Sequence, residues 1–329
     1  MEIGKIPAEV LERIVLNPIN RNKNRRDEIV IRPKTGEDCS AVDMKGEMCI
    51  VSTDPITGAD KNAGYIAVHI NCNDIASSGG EPVGILVTIL LPPNSSEELL
   101  EEIMSGAYKA ANEVGIEILG GHTEVTEAVT KPVISATVIG KSNNKKFISS
   151  GGAKVGQQVI MTKWAGLEGT AIIATDYYDK LKNKIDDEIL KSAIEMSGFL
   201  SVLPESKIAT EHGATAMHDV TEGGIFGAVW EVADCSNTGI IIYEDKIPLK
   251  KETETICNFT NINPYSLISS GSMIITAFEG ENLVCKLKNA GIEASVIGEI
   301  IENGKYIVGK EGKRELLPPK SDELYRVKL

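Results

Sequence analysis

Apolar and polar positions alternate with a period of two early in the chain and then give way to helical spacing. Alternation through Ala41-Val-Asp-Met44, a turn at Lys45-Gly46 and a second strand at Met48-Cys-Ile-Val-Ser52 predict a hairpin over residues 38 to 54. The small, apolar segment from Ala67 to Pro82 predicts a helix that sets Asn71 and Asp74, three residues apart, on one face. Pro82 to Leu91 is a near-continuous apolar run, which predicts a strand buried on both faces and stopped by Pro92-Pro93. Ser95-Ser-Glu-Glu98 forms a capping box ahead of a helix with the apolar stripe Leu99, Ile103, Ala107, Ala110 and Val114, and Gly115 ends it. Pro132 to Gly140 predicts another strand, followed by a polar turn over Lys141 to Lys146.

Ser149-Ser-Gly-Gly152 is the expected boundary, dividing the chain into domains at 1–152 and 153–329. The second half opens with a strand at Gln158 to Thr162 and a glycine-bearing loop, Ala165 to Thr170, leading into a helix. A helix follows near Glu188 to Leu203, and His218-Asp-Val-Thr-Glu-Gly-Gly224 leads into an apolar helix, Ile225 to Ala233. Ser269-Ser-Gly-Ser272 precedes a strand at Met273 to Thr276, and Leu283 to Ala290 is the last helix.

Composition narrows the partners. A net charge of −13 opposes nucleic acid or an anionic membrane as a partner. The one dense basic run, Arg21 to Arg26, reads either as a solvated arm or as a contact to phosphate oxygens. Met1 to Pro7 holds no apolar signal core, and the longest apolar run spans about half a membrane, so a soluble, cytoplasmic protein is expected. Six cysteines without a Cys-x-x-Cys pair indicate neither a zinc site nor a disulfide framework.

Candidate chemistry lies in acids and hydroxyls beside flexible backbone: Gly36-Glu-Asp-Cys-Ser-Ala-Val-Asp43, Ser52-Thr-Asp-Pro55, the Asn71/Asp74 helix and Gly120-Gly-His-Thr-Glu124. Such groups suit Mg²⁺ bound to polyphosphate, although Asp at these positions also serves simple capping. A three-residue loop in the hairpin sets Asp38 opposite Asp54, whereas a two-residue loop puts them on opposite faces. Repulsion between paired carboxylates favours a bound cation, so the first register is the functional expectation. His218, Asp219, Thr221 and Glu222 read either as an anion site at a helix start or as a capped helix with Thr221 as N-cap; Ser269, Ser270 and Gly271 are candidates for the same cleft.

The order GEDCSAV, STDP, NCNDIASSGGEP, GGHTE and HDVTEGG resembles the superfamily of aminoimidazole ribonucleotide (AIR) synthetase, selenophosphate synthetase, thiamine-monophosphate kinase and HypE, from about Asp38 onward. The resemblance implies an α+β fold of two α/β domains, with an N-terminal mixed sheet that builds a homodimer and a C-terminal sheet flanked by helices. It also implies ATP and Mg²⁺ as cofactors. Asp38, Asp54 and Asp74 would hold the metal; Asn71, Gly120, Gly121, His122, Thr123 and Glu124 would meet nucleotide or metal; Glu222 and His218 are the catalytic candidates.

Three departures bear on activity. HypE ends in a reactive cysteine where this sequence ends Glu323 to Leu329 without one; HypE has Gly-Asp-Thr-Lys where Gly121-His-Thr-Glu124 stands; and residues 1 to 38 lack the reactive cysteine of selenophosphate synthetase. The leading expectation is ATP-dependent phosphorylation of an amide or carboxamide oxygen on a small-molecule or protein-carried substrate. The alternatives are a small-molecule kinase and a non-catalytic nucleotide-binding partner of a maturation factor.

Overall fold

The computed structural model describes residues 8–20, 26–59, 61–142, 146–319 and 321–329. The basic run at 21–25 and the centre of the polar turn at 143–145 lie outside them. Two mixed sheets organise the chain. The first contains β1 (Ile29–Ile31), β2 (Ser40–Asp43), β3 (Met48–Ile56), β4 (Glu81–Leu91), β5 (Glu117–Val125) and β6 (Val133–Ser142), in the order β1-β2-β3-β6-β4-β5. The second contains β7 (Gln158–Thr162), β8 (Ala216–Asp219), β9 (Gly239–Tyr243), β10 (Met273–Ala277), β11 (Ala294–Ile301), β12 (Lys305–Gly309) and β13 (Gly312–Glu315), in the order β13-β12-β9-β11-β7-β10-β8. Pairing is antiparallel except for β4 with β5 and β9 with β12.

The helix Ala63–Ser77 is buried along its whole length. One side packs on β3 and β6, and another meets β8 and the helix Leu203–Glu211 of the second half. A helix walled in on all sides needs no polar face, and its polar side chains His69, Asn71, Asn73, Asp74 and Ser77 are buried and bonded within the protein. The same apolar core runs from β3 and β4 through this helix to Trp164, Leu167, Ile172 and Leu200, so the two halves share buried surface. The helix Glu97–Val114 starts and stops as expected: Ser96 Oγ accepts from Leu99 N at 3.3 Å, and Gly115 takes the left-handed conformation at φ 80°.

Several expectations are corrected. The β2–β3 ladder pairs Asp43 with Met48 and Ala41 with Ile50, and Met44 N donates to Glu47 O. This is the two-residue loop, Lys45-Gly46, so the register that would set Asp38 opposite Asp54 is not formed. A bend to positive φ at both Lys45 and Gly46 lets the tight turn close. The run Val83 to Leu91 is a strand, but it is not buried on both faces, since Val83 is 47% and Leu86 39% exposed. Gly120 and Gly121 lie inside β5, with Leu119 as the extra residue of a bulge against β4. Gly121 is required there, because a Cβ would stand 1.8 Å from Val87 O.

In the second half, the glycine loop is shorter than expected and the helix already begins at Leu167. The helix expected over 188–203 is Asp187–Glu195 followed by a 3₁₀ turn, Met196–Phe199, and a separate helix opens at Leu203 with Pro204 in its first turn.

Candidate functional site

Two features meet where the halves join. The first is a cleft of about 650 Å³, lined by Asp54 to Ala59 and Lys131 from one side and by Glu168, Thr221, Glu222, Ser270, Asp322 and Tyr325 from the other. Its volume lies in the range of small-molecule sites. The second is a group of acids next to it, of which Asp74 and Asp219 are buried while Asp54 reaches the cleft and Asp38 reaches solvent.

Asp74 projects from the last turn of the helix Ala63–Ser77, and its Oδ2 accepts from Ser52 Oγ at 2.6 Å. Ser52 Oγ also reaches Asp38 O at 3.1 Å, so one hydroxyl on β3 ties the two acid-bearing segments together. Asp219 ends β8, and its Oδ1 accepts from Ser77 Oγ at 3.0 Å across the junction. Burial first, and then the charges of Asp219, Asp54 and Asp38, hold the Asp74 carboxyl well above the usual carboxylate range. Burial and Asp38 push the Asp219 carboxyl up to about 7. Asp38, Asp54 and Asp74, singled out in the sequence, therefore do converge, through the packing of helix against hairpin and not through the ladder register.

His218 is buried, with Nδ1 2.9 Å from Asp38 Oδ2 and Nε2 3.1 Å from Glu231 Oε2. Burial pulls the imidazole pKa down, but the two carboxylates outweigh it and raise it well above the ordinary value. Asp38, His218 and Asp219 bring ligand atoms within 4.8 Å of one another, the geometry of a cation site. An imidazolium has no lone pair to offer, so the metal-ligating capacity rests with the carboxylate oxygens, a donor set that suits a hard cation.

Asn71 is bonded within the fold: Oδ1 accepts from Asp54 N at 3.0 Å, and Nδ2 donates to Ala67 O at 2.9 Å. It places Asp54, and its Oδ1 keeps a second lone pair beside that hydrogen bond. Gly120, Gly121, His122, Thr123 and Glu124 lie on the edge strand β5, which pairs only with β4. None of them lines the cleft, and His122 Nε2 stands 3.3 Å from Glu124 Oε2 with both side chains exposed. His218 is likewise behind the cleft and not in it. Glu222 does line the cleft and accepts from Tyr325 OH at 2.7 Å. Thr221 is not the N-cap of the next helix; that is Gly223, whose N–H donates to Asp322 Oδ2 at 2.7 Å.

Two residues, Glu231 and Glu168, escaped the reading of the sequence, and a third, Asp219, takes a different place from the one expected. Glu231 sits 13 positions beyond His218 on an apolar helix, where an isolated acid is the one available signal. Asp219 was grouped with an anion site, yet its carboxylate joins the other acids. Glu168, in the first turn of the helix Leu167–Asp176, is buried in the cleft wall, and burial pushes its carboxyl up to about 7.

The comparisons define the class. Residues 27–142 match the N-terminal domain of AIR synthase related proteins, and residues 154–311 match their C-terminal domain. The chain belongs to this family, and its similarity to HypE is among the strongest. It is 28% identical to the carbamoyl dehydratase HypE of Rhizobium leguminosarum bv. viciae, over 84% of this chain and 80% of that protein. It is 27% identical to the thiamine-monophosphate kinase of Pyrococcus horikoshii, over 84% of this chain and 83% of that one. The crystal structure of E. coli HypE, a hydrogenase maturation protein, superposes with a TM-score of 0.74 at 23% identity, covering 89% of this chain and 94% of that chain.

Proposed function

We propose that this protein is an ATP- and Mg²⁺-dependent enzyme that phosphorylates an amide or carboxamide oxygen of a small-molecule or protein-carried substrate and releases ADP and phosphate. The observation that carries this reading is the convergence of Asp38, Asp54, Asp74 and Asp219 beside a cleft between two domains of the AIR synthase type. Asp219 Oδ2 is buried without a hydrogen-bond partner among the described residues, which fits a donor set awaiting a cation. Asp38, Asp54, Asp74 and Asp219 would hold Mg²⁺, which when bound supplies neutralising charge to phosphate oxygens.

The chain's own groups then have separate duties. Asn71 fixes the backbone of Asp54, and His218 positions Asp38, each through the hydrogen bonds given above. Glu222, in the cleft and held by Tyr325, is the candidate acid or base for the acceptor. Titrating a non-hydrolysable ATP analogue into wild type and Asp74→Ala, with and without Mg²⁺, tests the reading. Binding that needs Mg²⁺ and is lost in the variant supports it, and no binding to wild type rejects it.

A second reading is favoured by the similarity to a thiamine-monophosphate kinase, in which case the phosphoryl group stays on the acceptor. A stable phosphorylated product in place of free phosphate distinguishes it. The similarity to hydrogenase maturation proteins supports the further alternative of a nucleotide-binding partner of a maturation factor, which would bind Mg-ATP without turnover. The exposed apolar side chains Val83, Leu86, Leu119 and Val125 on β4 and β5 support a homodimer formed through the first sheet. A sedimentation mass of one chain at micromolar concentrations would reject it. Among the described residues no helix is long and apolar enough to cross a membrane. A cytoplasmic enzyme without a nucleic-acid partner remains the working assignment.

A further inference from the structure

The loop Ser269-Ser-Gly-Ser272 is stapled to the start of the helix Leu167–Asp176. Ser269 Oγ accepts from Leu167 N at 3.2 Å and donates to Trp164 O at 3.1 Å, and Ser272 Oγ donates to the same carbonyl at 2.8 Å. Gly169 N donates to Ile268 O at 2.9 Å. The serine between the two bonded ones, Ser270, is fully buried and lines the cleft, and its hydroxyl and backbone N–H both face the Glu168 carboxyl. Glu168 stands beside it, 3% exposed and also in the cleft wall, and among the described residues no ammonium or guanidinium pairs with it.

Buried carboxylates in native proteins are almost always paired with a cation or several donors, so one in a cavity wall that meets only a serine marks where a ligand supplies the missing bonds. A carboxylate is an acceptor of N–H donors in a planar, two-pronged arrangement, and a hydroxyl adds a third acceptor at its flank. The surroundings select the sign of the charge. Among the described residues the cleft wall carries the carboxyls of Asp54, Glu168, Glu222 and Asp322 and one ammonium, that of Lys131, which donates to Thr57 O at 2.6 Å. Three backbone N–H groups, from Gly223, Ile268 and Leu324, already satisfy Asp322, Tyr325 bonds Glu222, and Asp54 belongs with Asp74 in the proposed metal group, so Glu168 is the acid left for an acceptor. Ile56, Ile70, Ile172 and Leu324 supply apolar wall around it.

We propose that Glu168 and Ser270 form an acceptor-recognition subsite for a protonated nitrogen group, an ammonium or a guanidinium, carried on a substrate with an apolar portion. The subsite deepens the reading of the cleft as the acceptor side of an ATP-dependent enzyme, while its recognition chemistry needs no nucleotide. The two ideas are therefore separable.

The test is titration of phenylguanidine and of its neutral isostere phenylurea into the full chain, followed by calorimetry or ligand-observed NMR. Wild type is expected to bind phenylguanidine about tenfold or more tightly than phenylurea, because only the cation completes the pairing with a buried carboxylate. Glu168→Gln keeps the shape of the side chain and should abolish that preference, and Ser270→Ala should weaken phenylguanidine about threefold. Equal or tighter binding of phenylurea, no phenylguanidine binding at millimolar concentration, or an unchanged preference in Glu168→Gln would overturn the proposal. Should Glu168→Gln not fold, an unchanged phenylguanidine affinity in Ser270→Ala would do the same. The ATP reading is read out separately by Asp74→Ala, so loss of nucleotide binding there with intact phenylguanidine binding would reject that reading and keep this one.

Discussion

His218 Nδ1 lies 2.9 Å from Asp38 Oδ2, so an imidazole at the end of a strand in the second sheet is ion-paired with a carboxylate from the segment that opens the first hairpin. With Glu231 on the other ring nitrogen, the imidazolium carries one positive charge between two carboxylates inside the junction.

Removing that charge leaves a buried carboxylate, Glu231, without its cation, and Asp38, which solvent reaches, without its partner. His218→Ala is expected to destabilise the protein in chemical denaturation by less than the roughly 3–5 kcal/mol of a fully buried pair. The pH dependence has a definite sign. The folded value is raised, so the contribution is complete below the unfolded value of about 6.5 and is lost as pH rises through the folded one. The gap between wild type and variant should therefore be widest in mild acid and narrow in alkali, and a gap that widened with pH would contradict the pairing.

Asp219 discriminates between two duties. If its carboxylate helps hold a cation, Asp219→Asn should weaken Mg²⁺-dependent binding of the ATP analogue by about tenfold or more and leave Mg²⁺-independent binding unchanged. If the segment instead receives an acidic group of the acceptor, removing the negative charge should tighten acceptor binding and leave the nucleotide alone. Calorimetry with and without Mg²⁺ separates the two.

Burial raises the Glu168 carboxyl from about 4.5 to about 7, so the folded state holds its proton over a range where the unfolded state has released it. Stability must fall as pH rises between those values. Glu168→Gln removes the titration and should flatten that slope, leaving the variant more stable than wild type above pH 7 by up to about 3 kcal/mol, with little difference near pH 4. Thermal melts across that window provide the check.

How much of this was legible beforehand depended on how local the signal was. The helix Glu97–Val114 could be placed to within a residue or two because Ser96 and Gly115 act within one turn of its ends. The strands β8, β9, β12 and β13 went unread because they are short, and in β8 all four residues are buried, so no alternation marks it; β11, longer, went unread as well. Among the acids, Asp38, Asp54 and Asp74 stood out through their ordered motifs, but their mutual placement came from a helix packed against a hairpin. The hold of Asn71 on the Asp54 backbone was not legible, because an amide can serve either a backbone or a ligand and only the geometry shows Asp54 N against it. Glu168 and Glu231 each sit on apolar helices whose partners lie dozens of residues away or in another layer, so their burial could not be inferred from spacing.

The segment Asp322–Tyr325 is the last wall of the cleft, and it is held by one carboxylate. Asp322 accepts from Gly223 N at 2.7 Å, Leu324 N at 2.8 Å and Ile268 N at 3.2 Å, joining the start of the helix Gly224–Cys235, its own turn and the loop that leads to Ser270. Asp322→Ala would leave three N–H groups unpaired at once, a loss of about 1–3 kcal/mol for each that water cannot reach. Two of those groups flank cleft residues, Glu222 and Ser270, so the damage should not stop at stability. Acceptor-side binding is expected to fall in Asp322→Ala even at temperatures where the protein is fully folded, while Mg²⁺-dependent nucleotide-analogue binding, anchored on Asp74, persists. Asp322→Asn retains one acceptor oxygen and should fall between wild type and the alanine variant on both measures. Equal loss of nucleotide and phenylguanidine binding in Asp322→Ala would instead mean that the segment braces the whole junction and not the acceptor wall alone.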